Sequence, residues 1–316
     1  MKKKVSVIVV TYNQRDSISR TLDHILSQRV DFPFEIVVGD DASADGTRAV
    51  CEEYARRYPE VVRLMPAAPN KGVTRNYFDC LESACGEYVA DCAGDDYWID
   101  PDKLAGQVAV LDSDQEIALV HTAWRTSAGE TVCLDYPPVA GGRDVLLRLL
   151  RHDKPQPVHL CTAMYRRDAI MAEYTADREF FRSQCAEDLP IMAVLVARWK
   201  VAYMPQVTLC YSVGGDSVSN PARLSRAAGF YRASIGMTAA LASRTGVSRR
   251  LIDPGLRKLG AYAMYLAIAS GDPCAVDALD RTCSAVSLRL AFRTRVRRWL
   301  YGLKILMPVT DRERRR

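Results

Sequence analysis

The chain has 316 residues, 48% of them hydrophobic, and a formal net charge of +5. A chain of this length and composition forms one large core with an appendage or two modest domains, which excludes an intrinsically disordered protein. Its ten cysteines form no Cys-x-x-Cys pair and do not cluster with the four histidines, so we expect neither a zinc site nor a disulfide framework. No apolar run approaches the roughly 18 residues that a membrane-spanning helix requires. We expect a globular cytoplasmic protein with reduced, mostly buried cysteines.

The first hundred residues alternate between short apolar runs and helical periodicity. Residues 5–10 form a continuous β-branched run, and residues 34–38, 61–65 and 86–93 form further apolar runs. An amphipathic segment follows each of the first three runs. Continuous apolar strands joined by helices are typical of a parallel sheet that is buried on both faces. We therefore predict an α/β fold with a doubly wound, mostly parallel sheet and helices on both faces.

Acidic residues follow these apolar runs where the strands are predicted to end. Asp95 and Asp96 come soon after the fourth run, and Asp40 and Asp41 come after the second. An isolated pair of acids is most often a turn followed by a helix N-cap. In an open parallel sheet, however, ligands bind at the carboxyl ends of the strands, where carboxylates can hold a divalent cation against phosphates. The repeated pattern favours a nucleotide site.

Two common nucleotide-binding motifs are absent from the chain. A dinucleotide-binding fold carries Gly-x-Gly-x-x-Gly after its first strand, but residues 11–16 read TYNQRD. The P-loop pattern Gly-x-x-x-x-Gly-Lys-Ser/Thr does not occur either. We therefore expect a site that consists of carboxylates, an aromatic side chain and a metal ion.

Four segments carry a family resemblance. They are VSVIVVTYN from residue 5, EIVVGDDASADGT from residue 35, NKGVTRN from residue 70 and GEYVADCAGDDYWIDPDKL from residue 86. In this order and spacing they resemble the family 2 glycosyltransferases, which are inverting enzymes with the GT-A fold. The resemblance extends roughly over residues 4–215. We accordingly predict a GT-A catalytic domain over residues 1–218 and a helical region over residues 219–316.

The resemblance implies where a sugar donor binds. In the family, the aromatic residue after the first strand and the second acid after the second strand hold the nucleotide base. Those roles fall on Tyr12 and Asp41, with Thr11, Asn13 and Arg75 nearby. The expected donor is a nucleotide diphosphosugar, with a UDP-sugar preferred. The expected acceptor is a glycan or lipid-linked glycan in the assembly of O-antigen, capsule or exopolysaccharide.

The resemblance also implies a metal ion. The last acid of the family's Asp-x-Asp motif corresponds to Asp95, which would bind Mg²⁺ or Mn²⁺, and we assign nucleotide binding to Asp96. The usual first acid falls on Ala93. Magnesium often takes only one or two protein carboxylates, so the missing acid weakens the site without excluding it. Asp91 lies about 6–7 Å back along the strand and is a poor replacement.

Glu187 and Asp188 precede an apolar helix. Acids at a helix N-terminus are favourable by about 0.3–1 kcal/mol whatever their role, so helix capping is one interpretation. The family's catalytic base lies at such a pair, which implies that Asp188 accepts the proton of the acceptor hydroxyl. Two alternatives stay open. One is a nucleotidyltransferase, although the expected glycine-rich basic segment is absent, and the other is a non-catalytic nucleotide-binding scaffold, suggested by Ala93.

Two further regions are predicted from composition. Residues 124–142 are rich in proline and glycine and are expected to be irregular, and we predict that they form a lid over the acceptor. From Pro221 onward only helices are expected. Asp253–Pro254 and Asp272–Pro273 are each interpreted as an N-cap followed by proline in the first helical turn.

The C-terminal tail is strongly basic. Residues 289–316 contain ten Lys or Arg and two acids, so they carry +8 and the preceding residues carry −3. Between residues 288 and 307, apolar residues recur at steps of three and four and so share one helical face. Such a helix can lie on an anionic membrane or dock on the body of the protein. We predict peripheral binding to the inner face of the cell membrane and no nucleic acid partner. The apolar residues are Leu288, Phe292, Val296, Trp299, Leu303 and Leu306.

Overall fold

The computed structural model describes residues 2–214 and 223–302. Its centre is a ten-stranded mixed sheet in which six strands run in one direction and four in the other. The strands are β1 (Val5–Thr11), β2 (Phe34–Asp40), β3 (Val62–Leu64), β4 (Tyr88–Asp91), β5 (Tyr97–Trp98), β6 (Ile117–Thr126), β7 (Thr131–Val132), β8 (Val139–Gly141), β9 (Met164–Arg166) and β10 (Lys200–Tyr211).

The strand order places the ends of the first strands side by side. The sheet runs β3-β2-β1-β4-β9-β6-β10-β5, with β7 on β6 and β8 on β10. Strands β1 to β4, β6 and β10 are mutually parallel, and β9 lies antiparallel between β4 and β6. The carboxyl ends of β1, β2 and β4 therefore meet at one edge of the sheet. The predicted α/β class with a mostly parallel sheet is confirmed.

Helices cover the sheet because the strands between them are apolar on both faces. Val5, Val7 and Val9 belong to the same buried core as Ile18 and Leu22, while the helix Val73–Ser83 packs against β1 and β2. Burial on both faces explains the continuous β-branched run of β1. The helices of this part are α1 (Arg15–Leu26), α2 (Thr47–Arg57), α3 (Val73–Ser83), α4 (Lys103–Ser113), α5 (Gly142–Leu150), α6 (Arg167–Ala176), α7 (Arg178–Arg182) and α8 (Asp188–Arg198).

The stretch 124–142 is more regular than its composition suggested. Its first three residues extend β6, and β7 and β8 add short antiparallel pairs to β6 and β10. The expectation of an irregular segment was therefore wrong at both ends. Residues 124–126 join the sheet because β10 pairs with them along one edge and β7 pairs with Trp124 and Arg125 along the other.

The chain divides into two compact units. The first comprises residues 1–146 and 155–213, and the second comprises residues 147–154 and 214–316. The predicted domain boundary at residue 218 lies outside the described residues. Among the described residues, the second unit consists of the end of α5 and four further helices. These helices are α9 (Leu224–Arg244), α10 (Arg249–Ala269), α11 (Pro273–Ala285) and α12 (Phe292–Gly302).

One of the two predicted helix starts in the second unit is wrong. Asp272 does cap α11, because its carboxylate accepts a hydrogen bond from Cys274 N, with Pro273 in the first turn. Pro254, in contrast, lies inside α10, which begins five residues earlier. Asp253 forms an ion pair with Arg249 one turn before it instead of capping. An N-cap residue followed by proline thus marks a helix start only where the preceding residues are not already helical.

No described helix is long and apolar enough to cross a membrane.

Candidate active site

The loops after β1, β2 and β4 are joined by backbone hydrogen bonds. Asp41 N donates to Thr11 O at 3.0 Å, and Gly94 N donates to Val10 O at 3.0 Å. Most of the polar residues singled out in the sequence therefore gather at one edge of the sheet. This is the edge at which ligands bind in open α/β sheets.

The loop after β1 presents an exposed aromatic ring. Tyr12 is 53% exposed, whereas the neighbouring Thr11 is buried and donates a hydrogen bond from its hydroxyl to Gln14 Oε1. Asn13 adopts a left-handed conformation with φ of +52°, which asparagine tolerates better than most residues. Its side chain accepts from Ala44 N and its own N–H donates to Ser43 Oγ. Asn13 thus ties this loop to the loop after β2 and leaves the Tyr12 ring free to stack.

Asp41 holds a neighbouring loop in place. One carboxylate oxygen accepts from Lys71 N and the other from Gly72 N, each at 2.9 Å. Asn70 in turn donates from its side chain to Asp41 O. The structure thus shows an organising role for Asp41 that the sequence analysis missed. Arg75 is exposed in the first turn of α3, at the end of this loop.

The loop after β4 lies tightly against α1 and the loop after β1. A Cβ at Gly94 would lie 2.5 Å from Gln14 Oε1 and 2.7 Å from Thr11 Oγ1, so only glycine fits without a shift. Thr21 of α1 donates its hydroxyl to Gly94 O and Asp96 O. Because Gly94 has no side chain, the two loops pack closely together. Asp95, the next residue, therefore lies beside the Thr11–Gln14 turn.

Asp95 and Asp96 occupy different environments. Asp95 is half-buried, and its pKa is raised chiefly by burial, although a hydrogen bond with the Gln14 side chain opposes the effect. Asp96 is buried, and one carboxylate oxygen accepts from Ser212 N at 2.8 Å. Burial, followed by the charge of Asp95, raises the pKa of Asp96 to about 7. Ser212 also donates its hydroxyl to Asp95 O, so the start of the segment after β10 anchors this loop.

These two carboxylates suit a divalent cation. Within the described part of the chain, no group of three or more His, Cys, Asp or Glu side chains is arranged as a metal site. Asp96 nevertheless has a buried oxygen, Oδ2, that has no hydrogen-bond partner among the described residues, and Asp95 is its neighbour in the chain. Two carboxylates are a sufficient protein contribution for Mg²⁺ or Mn²⁺ when phosphate oxygens and water supply the other ligands. Asp91 is not part of this pair, because it is buried in β4 and accepts a hydrogen bond from the Tyr77 hydroxyl.

The second acidic pair lies at the start of α8. Glu187 occupies the N-cap position but makes no capping hydrogen bond with its side chain, while Asp188 accepts from Leu189 N at 2.6 Å. Burial and then the charge of Asp188 raise the pKa of Glu187 to about 8. The pKa of Asp188 is also raised by burial, against the opposing effect of the Leu189 hydrogen bond. Glu187 Oε2 is buried and has no hydrogen-bond partner among the described residues.

Tyr211 is the last residue of β10, and both acidic pairs influence the pKa of its phenol. Burial raises the pKa of its phenol to about 12, and the charges of Asp96, Asp95 and Asp188 add to that effect. The charges of both acidic pairs therefore influence this phenol. Gln14, which accepts a hydrogen bond from the Thr11 hydroxyl, also takes part in the site, although the sequence alone assigned it no role.

The comparison with family models decides the family. The model described as glycosyl transferase family 2 matches residues 6–172, which is just over half of the chain. The chain belongs to glycosyl transferase family 2. The match includes the loops after β1, β2 and β4 but ends before the acidic pair at α8.

Known proteins show the same relationship. Rv1520 of Mycobacterium tuberculosis, a protein of uncharacterised function, is 39% identical over 145 residues, or 45% of this chain. The aligned part spans 41% of the length of Rv1520, so well under half of that protein is matched. TarS of Staphylococcus aureus, named as a poly(ribitol-phosphate) β-N-acetylglucosaminyltransferase, is 36% identical over 121 residues. That alignment covers 37% of this chain and 20% of TarS.

Solved structures show the fold of this family 2 member. The structure of TarS residues 1–349 with UDP-GlcNAc superposes with a TM-score of 0.65, over 90% of this chain and 81% of that one, at 20% identity. The mannosyltransferase PcManGT of Pyrobaculum calidifontis, solved with GDP-Man and Mn²⁺, gives a TM-score of 0.56 at 22% identity. It covers 96% of this chain and 81% of that one. The predicted GT-A fold is thus confirmed.

Proposed function

We propose that this protein transfers a sugar from a nucleotide diphosphosugar to an acceptor hydroxyl with inversion at the anomeric carbon. The observation that carries the proposal is that the loops after β1, β2 and β4 meet at one edge of the sheet, where Tyr12 is exposed and Asp95 and Asp96 follow β4. An inverting transfer requires a base on one side of the reacting carbon and charge stabilisation for the leaving diphosphate on the other. We assign the leaving-diphosphate side to Asp95 and Asp96 and the base to Asp188.

In this proposal the nucleotide lies across the ends of β1 and β2. Tyr12 offers its exposed ring to the base, while Thr11, Asn13 and Asp41 shape the pocket. Arg75, exposed beside the loop that Asp41 holds, is available to the nucleotide. The binding of UDP-GlcNAc by TarS and of GDP-Man by PcManGT supports a nucleotide diphosphosugar as the donor class.

Asp188 accepts the proton of the attacking hydroxyl. Its raised pKa makes it a stronger base than an exposed aspartate, and its hydrogen bond from Leu189 N fixes the orientation of the carboxylate. Asp95 would hold Mg²⁺ or Mn²⁺, with Asp96, to which we assign nucleotide binding, as the neighbouring carboxylate. The cation, when bound, would neutralise charge on the leaving diphosphate. The Mn²⁺ in the PcManGT structure supports this choice of ion.

A direct experiment separates this function from its alternatives. Calorimetry with UDP and UDP-sugars, with and without Mn²⁺, measures binding, and a coupled assay measures release of UDP from a panel of donors. We expect metal-dependent UDP binding and UDP release that an added glycan acceptor increases. Release of pyrophosphate from UTP and a sugar phosphate would identify a nucleotidyltransferase. UDP binding without any release would identify a non-catalytic scaffold.

We also propose that the acceptor is a cell-surface glycan and that the C-terminal segment brings the protein to an anionic membrane. The name of TarS, which denotes transfer to a polymer, supports a glycan acceptor. In α12, Phe292 is 71% and Trp299 is 62% exposed, so these two apolar side chains do not dock on the body of the protein. Arg293, Arg295 and Arg297 are exposed on the same helix. Leu303 and Leu306, which complete the predicted apolar face, lie outside the described residues.

The membrane proposal is tested by co-sedimentation with vesicles. A variant with Phe292→Ser and Trp299→Ser is expected to lose binding to vesicles that contain phosphatidylserine. Neither change touches Arg298, which anchors α12 to Asp277 and Asp280 of α11. The matched control is Tyr262→Ser, which removes an exposed aromatic ring from α10 in the same unit. Equal binding to neutral and anionic vesicles, or unchanged binding by the double variant, would contradict the proposal.

A further inference from the structure

Three charged side chains form a bridge behind the donor site. Asp79 Oδ2 accepts from Lys71 Nζ at 2.5 Å, and Asp79 Oδ1 accepts from Arg182 Nη2 at 2.7 Å. The side chains of Lys71, Asp79 and Arg182 are each only about a quarter exposed. We call this group the Asp79 bridge. Because it is largely shielded from water, its ion pairs are less screened than those of an open surface.

One end of the Asp79 bridge belongs to the loop at the donor site. The backbone N–H groups of Lys71 and Gly72 donate to the two carboxylate oxygens of Asp41. Lys71 is therefore held twice, by its main chain at Asp41 and by its side chain at Asp79. A shift of the loop on nucleotide binding would move the ammonium group that Asp79 holds.

The other end belongs to the segment that leads to Asp188. Arg182 is the last residue of α7, and residues 183–187 connect it to α8 without helix or strand. The guanidinium also donates to the Tyr174 hydroxyl at 3.2 Å, and Tyr174 donates to Glu82 Oε1 at 2.6 Å. The place of α7 on α3 thus determines where the connection to Asp188 begins.

Apolar contacts join α3 to α7 and to Tyr174 of α6. The Phe78 ring of α3 stacks on Tyr174 at a centroid distance of 4.7 Å and an interplanar angle of 2°. Phe78 also makes an edge contact with Phe181 of α7 at 5.6 Å. Phe78 and Phe181 are fully buried. This packing holds α7 on α3 whatever the charges do, so the Asp79 bridge is not required merely to attach the helix.

The carboxylate of Asp79 separates two cations. Burial raises its pKa, but the hydrogen bonds from Lys71 and Arg182 outweigh burial and lower the pKa overall. Asp79 is therefore ionised at neutral pH. Without its charge, Lys71 and Arg182 would be like charges in a partly buried place, and one of them would have to move.

We propose that Asp79 is a positioning residue that couples the donor-site loop at Lys71–Gly72 to the segment that carries Asp188. This inference rests on the proposed function and adds a link between donor binding and base placement. Coupling through a network with two ends means that a change at one end alters the effect of a change at the other.

The test compares two acids on α3. Asp79→Asn removes the bridge, whereas Glu82→Gln alters contacts with Tyr174 and Arg182 but does not touch Lys71. We expect Asp79→Asn to lower both the affinity for UDP, measured by calorimetry, and the turnover of UDP release by about fivefold or more each. Glu82→Gln should leave the affinity for UDP within about twofold of wild type. Thermal unfolding of both variants separates a loss of stability from a loss of coupling.

A double-mutant cycle gives a second, independent answer. Lys71→Met and Arg182→Met each break one arm of the Asp79 bridge, so their effects on turnover should be clearly less than additive. This cycle also decides the matter if Asp79→Asn fails to fold. Additive effects, or an Asp79→Asn variant that binds UDP as Glu82→Gln does, would overturn the coupling while leaving the proposed function intact. A wild-type protein that does not bind UDP would overturn both.

Discussion

The two acidic pairs of the candidate active site differ in which member is held by the backbone. After β4, Asp96 accepts a backbone hydrogen bond from Ser212, and the half-buried Asp95 is the member proposed to bind metal. At α8 the proposed functional member, Asp188, is the one that accepts from the backbone, and Glu187 is the member whose buried Oε2 has no hydrogen-bond partner in the described part of the chain.

The difference indicates how each pair manages its charge. Two adjacent carboxylates with little water cannot both ionise at low cost, so one keeps its proton unless a cation is bound. A bound cation allows both Asp95 and Asp96 to ionise. At α8 the raised pKa of about 8 favours the protonated form of Glu187 at neutral pH, which agrees with the proposal that Asp188 is the base.

The largest effect is expected from a substitution in the acidic pair at α8. Asp188→Asn removes the proposed base while preserving the shape of the side chain, so turnover should fall by about 10²–10⁴-fold with little change in affinity for UDP. The measurement is steady-state UDP release beside calorimetric UDP binding. The matched variant Glu187→Gln keeps a neutral side chain next to Asp188 and should retain most of the activity. If the two variants lost activity equally, the different roles assigned to Glu187 and Asp188 would be wrong.

The second largest effect is expected from a substitution in the acidic pair after β4. Asp95→Asn should lower the affinity for UDP in the presence of Mn²⁺ by roughly 10–100-fold, because carboxylate ligands dominate metal affinity at such a site. Affinity for UDP without metal should stay near that of wild type. Titration of UDP at several Mn²⁺ concentrations measures both. Asp112→Asn, a change in an acid of α4 that pairs with Lys4, is the control for a lost carboxylate elsewhere in the same unit.

The third effect concerns the contact that places Asp95. Gly94→Ala introduces a Cβ about 2.5 Å from the Gln14 side chain, and overpacking of this kind typically costs about 1–3 kcal/mol. We expect a lower free energy of unfolding and weaker metal-dependent UDP binding, measured by denaturant titration and calorimetry. The control is Gly229→Ala in α9, where a Cβ would meet nothing within 4 Å, and where alanine favours the helix. A Gly94→Ala protein as stable as wild type would show that the loop can shift freely.

Much of this arrangement could be predicted from the sequence. The apolar runs of β1, β2 and β4 and the polar residues that follow them predicted the sheet edge at which the loops meet. Strands buried on both faces leave a strong local signal, because every residue in the run must be apolar. Asp95 and Asp96 were found for the same reason, since they interrupt such a pattern.

The rest depends on contacts between distant residues. That Asp41 holds Lys71 N and Gly72 N, and that Ser212 N reaches Asp96, follows from the packing of loops that lie about 30 and 116 residues apart. Pro254 is a case in which the local pattern was misleading. A proline after an N-cap residue usually lies at the start of a helix, but tertiary packing keeps Pro254 inside α10. Local patterns therefore predicted the elements better than they predicted the hydrogen bonds that hold the site.

The last expected effect tests the comparison of the two acidic pairs through pH. The folded-state pKa of Glu187, about 8, lies above its ordinary value of 4.5, so folding favours the protonated form. The stability that this group contributes is fully present below about pH 4.5 and is lost as the pH rises through about 8.

Glu187→Gln removes this titration, so the unfolding free energy of the variant relative to wild type should increase between pH 5 and pH 8, by at most about 1.4 kcal/mol per pH unit. Asp91, whose pKa is raised to about 7, titrates in both proteins, so the difference between them reports Glu187 together with its charge coupling to Asp188 and Asp91. Denaturant titrations of both proteins at several pH values provide the measurement. A difference that stayed constant over this range would mean that Glu187 is already ionised in the folded protein, and the two acidic pairs would then carry charge in the same way.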